Sequence, residues 1–481
     1  MKKTTRETAA DLLGAEIGTI VKHGASAGAV GYPASYRVGA SSLGAQFVYK
    51  SLNAVPELSC GRFYLESDGT SARPPSVLES GRPIADMHWL AFSISCEQEL
   101  LGIVRLLRAA GIAPLTEDRD DTDPPILAGG PLTTVDPRLV APLVDIVITG
   151  SADDLLRPLG ALLVAHRDDK RTLLERAAEL SPRIYVPRLH GTPPTPDSPP
   201  PPPMPAAAAV WSEAAELKNL FLVEATRGCR RRCAFCTMSR DAAGSPCFHA
   251  FAVEDILAQI PEDAPGVGLV GAAVTDHPEI ESLAAQLVSQ GKRVSLSSIR
   301  ADKLTPRLAQ LLKESGLRTL TVAADGASER VRRSVRKGIT EGHLLAAAAL
   351  ARETGFAGLK IYSMVGLPEE TDDDIAEFST LLLACAAKVR VSATVQAFVP
   401  KPGTPLADAP MAETTVLEKR LALLRKLTRG RVRILPTSPK WSVIDWKLSH
   451  GGFQAARAAI AADADGADFA AWKRAVKRYI P

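Results

Sequence analysis

The chain has 481 residues, 46% of them hydrophobic, which is enough for about three domains with sizeable cores in at least two. Its 57 lysines and arginines nearly balance 54 aspartates and glutamates, so a net charge of +3 gives no case for a nucleic-acid or membrane-surface protein. Seven cysteines in so long a chain do not read as a disulfide framework.

The opening segment, MKKTTRETAADLLGAEIGTIV, scatters acidic residues through a helical apolar pattern and lacks the long apolar core of a signal peptide. Residues 1–28 are read as an N-terminal helix. No stretch approaches the roughly 18 uninterrupted apolar residues of a membrane span, so a cytoplasmic protein without membrane contact is expected. From 29 to 190, apolar runs alternate with helix-like ones. Trp89–Ser95 reads as a buried strand, followed by a helix over Glu97–Ala110 with Leu100, Leu101, Val104 and Leu107 on one face. Ile126–Ala128 and Val144–Thr149 are short strands, ending at Gly129-Gly130-Pro131 and at Gly150. The alternation predicts an α/β domain with a doubly wound, flavodoxin-like parallel sheet. A glycine- and serine-rich turn in GYPASYRVGASSLGAQFVYKSLN, starting at Gly31, precedes a helix at a place suited to a ligand. The two-glycine turn at Gly129 is too short a signature to assign a phosphate site.

Residues 191–210 form a linker, because the run TPPTPDSPPPPPMP, Thr192 to Pro205, favours extended polyproline II and cannot donate to a backbone ladder. Six strand–helix repeats are then expected over 211–408. The strands are Leu220–Thr226, Val267–Ala272, Arg293–Ser298, Arg318–Ala323, Leu359–Val365 and Val391–Phe398, with helices such as Leu304–Glu314 and His343–Thr354 between them. Right-handed crossovers would curl such a series into a partial (βα)6 barrel, short of the eight-stranded version. Each strand ends in unusual punctuation, and in a parallel barrel these ends share one face, where active sites form. Residues 409–481 read as a small helical segment, with Leu417, Leu421, Leu424 and Leu427 spaced for packing. Trp441, Trp446, Phe453, Phe469 and Trp472 concentrate there and are assigned to core packing. Asp463-Ala-Asp465-Gly466 lacks the spacing and the closing glutamate of a calcium loop.

The densest chemistry follows the first barrel strand. Cys229, Cys233 and Cys236 stand in EATRGCRRRCAFCT with spacing C-x3-C-x2-C. Zinc takes four ligands in tetrahedral array, and Cys247 and His249 are near enough in sequence to complete such a set. No second C-x2-C or histidine pair follows, however, and the loop opens a long α/β pattern. A cubane iron–sulfur cluster is the other candidate occupant, and three ligands would leave one of its four irons open. Arg227, Arg230, Arg231 and Arg232 would offset cluster charge or steer an acidic electron donor, but a solvated loop face is the simpler reading. RVRRSVRK, Arg330 to Lys337, is likewise taken as a wet helix face and not a nucleic-acid site.

The cysteine loop and the strand-end punctuation resemble the radical S-adenosylmethionine (SAM) superfamily. YRVGASSLG, LESGRPIADMHWLAFSIS, LLRAAGIAPL and ILAGGPLTTVDP, over most of residues 29–190, resemble the cobalamin-binding-like domain that precedes the barrel in one branch. The resemblance implies a [4Fe-4S] cluster on the three cysteines and SAM bound to its open iron through amino and carboxylate groups. It implies that Gly271-Ala272 meets the SAM amino group, that Ser298, Arg300 and Asp325 face the ribose or the methionyl carboxylate, and that Gly366 and Phe235 line the adenine. Two departures bear on these roles: Glu369 replaces a glycine in the fifth-strand motif, and Asp325 stands near a place where many relatives have glutamate. The implied chemistry is reductive cleavage of SAM, driven by a reductant such as flavodoxin or ferredoxin, then hydrogen abstraction from an unidentified substrate. Asp86-Met-His88 lacks the glycine of a cobalt-ligating D-x-H-x-x-G and precedes a strand, so His88 is read as structural. The domain therefore either binds cobalamin without a protein axial ligand, which would suit methyl transfer to an unactivated carbon, or serves as a substrate or partner platform without it. A non-catalytic iron–sulfur or zinc protein is the remaining alternative. Sulfur insertion of the methylthiotransferase kind would need a second cysteine triad upstream, and Cys60 and Cys96 are too few.

Overall fold

The computed structural model describes residues 8–66, 74–297 and 299–481. Its chain divides into two units: Met1–Leu222 with Asp241–Ser245 and Lys447–Pro481, and Val223–Arg240 with Pro246–Trp446.

The first unit is built on a six-stranded sheet in the order Leu58–Leu65, Ser26–Ser35, Trp89–Ser93, Ile126–Gly129, Ile146–Ile148, Ile184–Tyr185. The first five strands run parallel in the expected flavodoxin-like order, and an antiparallel edge strand is added at Ile184–Tyr185. Trp89–Ser93 is buried at every position, which is why its run WLAFS carries no alternation. Gly28 makes room for the Trp89 ring, since a Cβ there would lie 2.1 Å from it. His88 is consumed at the start of that strand: its backbone N–H donates to Ala27 O (2.8 Å), and its Nδ1 accepts from Ala27 N–H (2.9 Å). The helices Leu43–Asn53, Leu156–Ala165 and Lys170–Leu180 bury Tyr49, Leu52, Leu159 and Leu173 in one continuous core with Val30, Trp89 and Ile146.

Distant segments close this unit. Among the described residues the N-terminal helix spans Ala9–Gly14, and after Ala15 the pair Glu16–Ile17 runs antiparallel to Trp211–Ser212 beyond the proline run. Gln46 Oε1 accepts the N–H groups of Ala209 (3.0 Å) and Val210 (2.8 Å), so the chain leaving that run is held to the first unit. At the centre of this closure Arg62 is buried between two carboxylates. Its Nε donates to Glu79 Oε1 (2.6 Å) and its Nη1 to Glu16 Oε2 (3.1 Å), with Tyr36 Oη donating to the same Glu16 oxygen (2.6 Å). The last part of the chain also returns here. Helix Phe453–Ala464 buries an alanine face, Ala455, Ala456, Ala459 and Ala462, and packs on helix Glu99–Ala109. Asp463 pairs with Arg105 and Arg108, and Asp465 with Arg474, so both carboxylates of the calcium-like string are committed to ion pairs. Of the five tail aromatics Trp472 is buried, Trp441, Trp446 and Phe469 are half-buried, and Phe453 is 36% exposed, so core packing as expected fails clearly for Phe453 alone.

The second unit alternates strand and helix. Phe221–Glu224, Gly266–Val270 and Arg293–Leu296 form one sheet, and Thr319–Ala323, Gly358–Val365, Val391–Ala397 and Arg433–Pro436 form a second, parallel throughout. Arg433–Pro436 is a seventh strand, where the sequence pattern shows only helix after 409; a four-residue run ending in proline gives too little periodicity to see. The helices between strands include Ile280–Ser289, Pro306–Glu314, Glu341–Glu353 and Asp372–Ala386. Among the described residues no helix is long and apolar enough to cross a membrane.

Replacing Arg62 by alanine leaves Glu16 and Glu79 buried without their counter-charge. The expected cost is about 3–5 kcal/mol, read as a lower urea midpoint for the first unit, with Arg62→Lys costing less because the charge remains. An unchanged midpoint in Arg62→Ala would show that the network is not what closes this unit.

Candidate metal and cofactor site

The three cysteines lie on a loop that a short ladder feeds. Thr226–Gly228 pairs antiparallel with Phe248–Ala250, and the next N–H, that of Cys229, donates to Cys247 O at 2.9 Å. Gly228 has φ +70°, and a Cβ there would meet Cys247 O at 2.4 Å, so the sharp entry into the loop requires glycine. Further on, Ala234 N–H donates to Val335 O (2.9 Å), and Ala234 O accepts from Leu406 N–H (3.2 Å). These two bonds fasten the middle of the loop to the segments after the fourth and sixth strands.

Cys233 is buried, and Cys229 and Cys236 are half-buried. Burial pushes the Cys233 thiol up to about 11, with Lys337 pulling it down and the charges of Cys236 and Cys229 pushing it further. Burial also raises Cys236, which again senses Cys229. Cys233 and Cys236 thus each lie near enough to a neighbouring thiol for its charge to oppose their ionisation, and a bound cationic centre is what would hold them as thiolates. Among the described residues no three His, Cys, Asp or Glu side chains gather as they would around one metal ion. Of the residues that might complete a zinc set, Cys247 lends its carbonyl to Cys229, and His249 stacks edge-on against Phe251 at 4.7 Å. Three thiolate donors are the chemistry that an iron–sulfur cluster takes.

Around the thiols runs a chain of charges. Arg231 donates two N–H bonds to Asp276, one of them 2.7 Å from Nε to Oδ2, and its Nη1 stands 3.8 Å from Asp302. Arg300, 7% exposed, binds Asp302 through Nε (2.9 Å) and Nη2 (3.1 Å) and also reaches the Lys337 carbonyl (3.3 Å). Burial would raise the Asp302 carboxyl, but the hydrogen bonds and charge of Arg300 hold it below its usual range. Lys337 Nζ pairs with Asp325 Oδ2 at 2.6 Å. Arg300 and Asp325 therefore stand in the electrostatic surroundings of the cysteines. Ser298 lies outside the described residues.

The rim also shows close backbone approaches. A Cβ on Gly271 would lie 2.3 Å from Thr226 Oγ1, and Ser297 Oγ accepts from Gly271 N–H (3.2 Å) and donates to its carbonyl (2.9 Å). Thr226 Oγ1 is buried and has no hydrogen-bond partner among the described residues. Ala272, next along, is half-buried. Phe235 packs with Met364 and Leu406 against Ala234, Val331 and Phe398. Gly366, with φ +85°, abuts Leu417, and its N–H donates to Glu370 Oε1 (2.8 Å), the oxygen that Arg420 Nη1 also reaches (3.0 Å). Glu369, the departure from glycine, nevertheless adopts φ +60°, the left-handed conformation that glycine reaches more easily. Arg232 and Asp325 also hold positive φ, so strained backbone clusters in these loops.

Sequence reasoning missed several contributors. The run RVRRSVRK is not a uniformly wet face. Arg332 is fully buried, donating to the carbonyls of Gly326 (3.3 Å), Ala327 (2.8 Å) and Ile339 (2.7 Å), and Lys337 turns to Asp325. Asp276, Asp302, Thr226 and Glu370 also contribute, and their roles depend on partners far along the chain or on backbone that folds against them. In the cysteine loop Arg230 and Arg232 are exposed, whereas Arg227 is paired with Glu224 and Arg231 with Asp276.

Residues 44–187 match the family model for "Radical SAM proteins, N-terminal", and residues 223–382 match that for the "Radical SAM superfamily". An uncharacterized protein of Methanocaldococcus jannaschii is 36% identical over 199 residues, which are 40% of this chain and 44% of that protein. The alignment thus spans less than half the length of that relative. Among solved structures, the cobalamin-dependent S-adenosylmethionine radical enzyme OxsB, with aqua-cobalamin and S-adenosylmethionine bound, aligns at 13% identity and TM-score 0.48 over 84% of this chain and 56% of that chain. Coproporphyrinogen III oxidase from Escherichia coli, a radical SAM enzyme, aligns at 16% identity and TM-score 0.27 over 36% and 51%.

Burial raises the Glu370 carboxyl from 4.5 to about 7, against the opposing pull of Gly366 N–H and Arg420. Between those values the unfolded chain has lost a proton that the native state keeps, so this group's contribution to stability falls as pH rises. Glu370→Gln removes the titration. From about pH 5 to about pH 8 the melting temperature of the native protein should therefore drop relative to that variant; a constant difference would refute the raised value.

Proposed function

We propose that this chain, a member of the radical SAM superfamily, is an enzyme whose Cys229, Cys233 and Cys236 hold a [4Fe-4S] cluster and whose surrounding rim holds SAM. The observation that carries the reading is one short loop beyond the first strand of a parallel strand–helix unit that bears Cys233 buried and Cys229 and Cys236 half-buried, with the charges of Arg231, Arg300 and Lys337 near them. When bound, the cluster and SAM supply one-electron cleavage of the sulfonium bond and, through it, hydrogen abstraction from a substrate.

The residues have separable duties in this proposal. The cysteines donate thiolates, and burial of Cys233 and Ala234 limits the access of water to them. Arg300 and Lys337 bring positive charge toward the thiolates, while Asp302 and Asp325 hold those cations in fixed places. Gly271-Ala272 offers backbone to the SAM amino group, where a larger side chain at Gly271 would strike Thr226. Arg300, Asp325 and Ser298 are assigned to the ribose or the methionyl carboxylate, and Phe235 and Gly366 to the adenine. Exposed Arg230 and Arg232 support docking of an acidic one-electron donor such as flavodoxin or ferredoxin.

For the first unit we infer a cobalamin site at the carboxyl ends of its strands, without a protein ligand to cobalt. The support is the sheet order, which reverses direction between Ser26–Ser35 and Trp89–Ser93 and so opens a crevice there, and the commitment of His88 at the opposite strand end. Methyl transfer is the reaction such a pairing of cofactors would serve.

Anaerobic reconstitution with iron and sulfide should give a cluster absorbance, and SAM with a reductant should then yield 5′-deoxyadenosine. Changing Cys229, Cys233 and Cys236 together to alanine should abolish both signals. Absence of both in the native chain, or their persistence in the variant, would overturn the assignment. Titration with hydroxocobalamin, followed by absorbance, should saturate; if it does not, the first unit is a substrate or partner platform.

A further inference from the structure

Parallel strands covered on both faces read as nearly continuous apolar runs. Two adjacent strands of the second unit do not. Along Gly358–Val365 and Val391–Ala397, Leu359, Ile361, Val365, Val391, Ala393 and Val395 are buried and supply the packing face. The alternate positions are more accessible and mostly polar: Lys360 and Tyr362 on one strand, Ser392, Thr394 and Gln396 on the next. The register sets Lys360 beside Ser392, Tyr362 beside Thr394, and Ser392 beside Arg433. The fold does not need this chemistry, because the opposite face already buries the apolar side chains.

Lys360 is the most informative member. Its Nζ donates to Tyr362 Oη at 2.8 Å and stands 4.6 Å from the ring centroid of that tyrosine. Among the described residues neither Lys360 nor Arg433 has a carboxylate partner. Tyr362 Oη accepts from the ammonium, so its own proton is left to donate to a third group. An ammonium and a phenol proton side by side, without an anion, make a pair that a carboxylate or phosphate would complete. The face also leads to the cysteine loop: Met364, two residues beyond Tyr362, packs with Phe235 against the same apolar cluster.

We propose that this face receives the substrate, that the substrate carries a carboxylate or phosphate, and that Lys360 and Tyr362 bind that group while Thr394 and Gln396 hydrogen-bond the rest. The proposal rests on the radical SAM reading of the rim. It is tested on the full-length chain reconstituted with cluster and SAM, by following thermal unfolding against inorganic phosphate and, separately, malonate, with sodium chloride holding ionic strength constant. A ligand that binds only the native state raises the melting temperature saturably. At least one anion should do so in the native chain. Lys360→Met should weaken its apparent affinity at least tenfold, and Lys360→Arg should restore most of it. A response to phosphate alone or to malonate alone identifies the group recognised. No saturable response to either anion, or the same response in Lys360→Met, would overturn the proposal. If Lys360→Met does not fold, Tyr362→Phe serves instead: severalfold weaker anion binding is expected, and undiminished binding counts against the proposal. Formation of 5′-deoxyadenosine by the native chain is measured alongside, so a failure of the radical reading is seen separately from a failure of anion recognition.

Discussion

A guanidinium–carboxylate pair holds the cysteine loop in its place. The loop has no regular secondary structure of its own beyond the short ladder before it, yet three thiols on it must stay in fixed relation to the other strand ends. Arg231, two residues after Cys229, grips Asp276 through two N–H groups, and Asp276 belongs to the turn after the second strand. Two parallel bonds fix orientation as well as distance, which a lysine could not do. From Asp276 the arrangement continues through Arg231 to Asp302 and Arg300, and Arg300 reaches the carbonyl of Lys337. Loops from the first four strands are thereby joined through side-chain hydrogen bonds and ion pairs.

Much of this was legible because it was written in local signals. The spacing of Cys229, Cys233 and Cys236 needs no tertiary structure to be read, and WLAFS announces a strand covered on both faces. The radical SAM family match and the flavodoxin-like sheet order agree with those signals. What escaped was decided by distance in the fold. Arg332 sits in a run of five cations, and no pattern within that run says that one of them will be buried against three carbonyls. Asp276 and Asp302 become meaningful only when Arg231 arrives from far along the chain. Glu369 shows the reverse case: the side chain departs from the family pattern, while the backbone keeps the left-handed turn that glycine would have adopted more easily.

The two units solve different stability problems. In the first, buried charge does structural duty, since Arg62 draws together strands and segments that a parallel sheet alone would leave unconnected. In the second, buried charge is concentrated where the chemistry is proposed, and along Gly358–Val365 and Val391–Ala397 the apolar packing is left to one face. The polar alternation in LKIYSMV is therefore a departure from the rule for parallel strands that a close reading of the sequence can detect, although its purpose needs the register of the neighbouring strand.

The return of the last helices to the first unit has a consequence for the order of assembly. The partner of Arg105 is Asp463, 358 residues further on. At roughly 5–20 residues per second, a ribosome takes on the order of 20–70 s to make that stretch. For that interval the side of helix Glu99–Ala109 that Phe453–Ala464 will cover faces water or a chaperone. The second unit, whose residues are all made before Lys447, can finish folding first. During synthesis the part that begins first is thus completed last, and the unpaired arginines at positions 105 and 108 keep that waiting surface soluble until its acidic partner emerges.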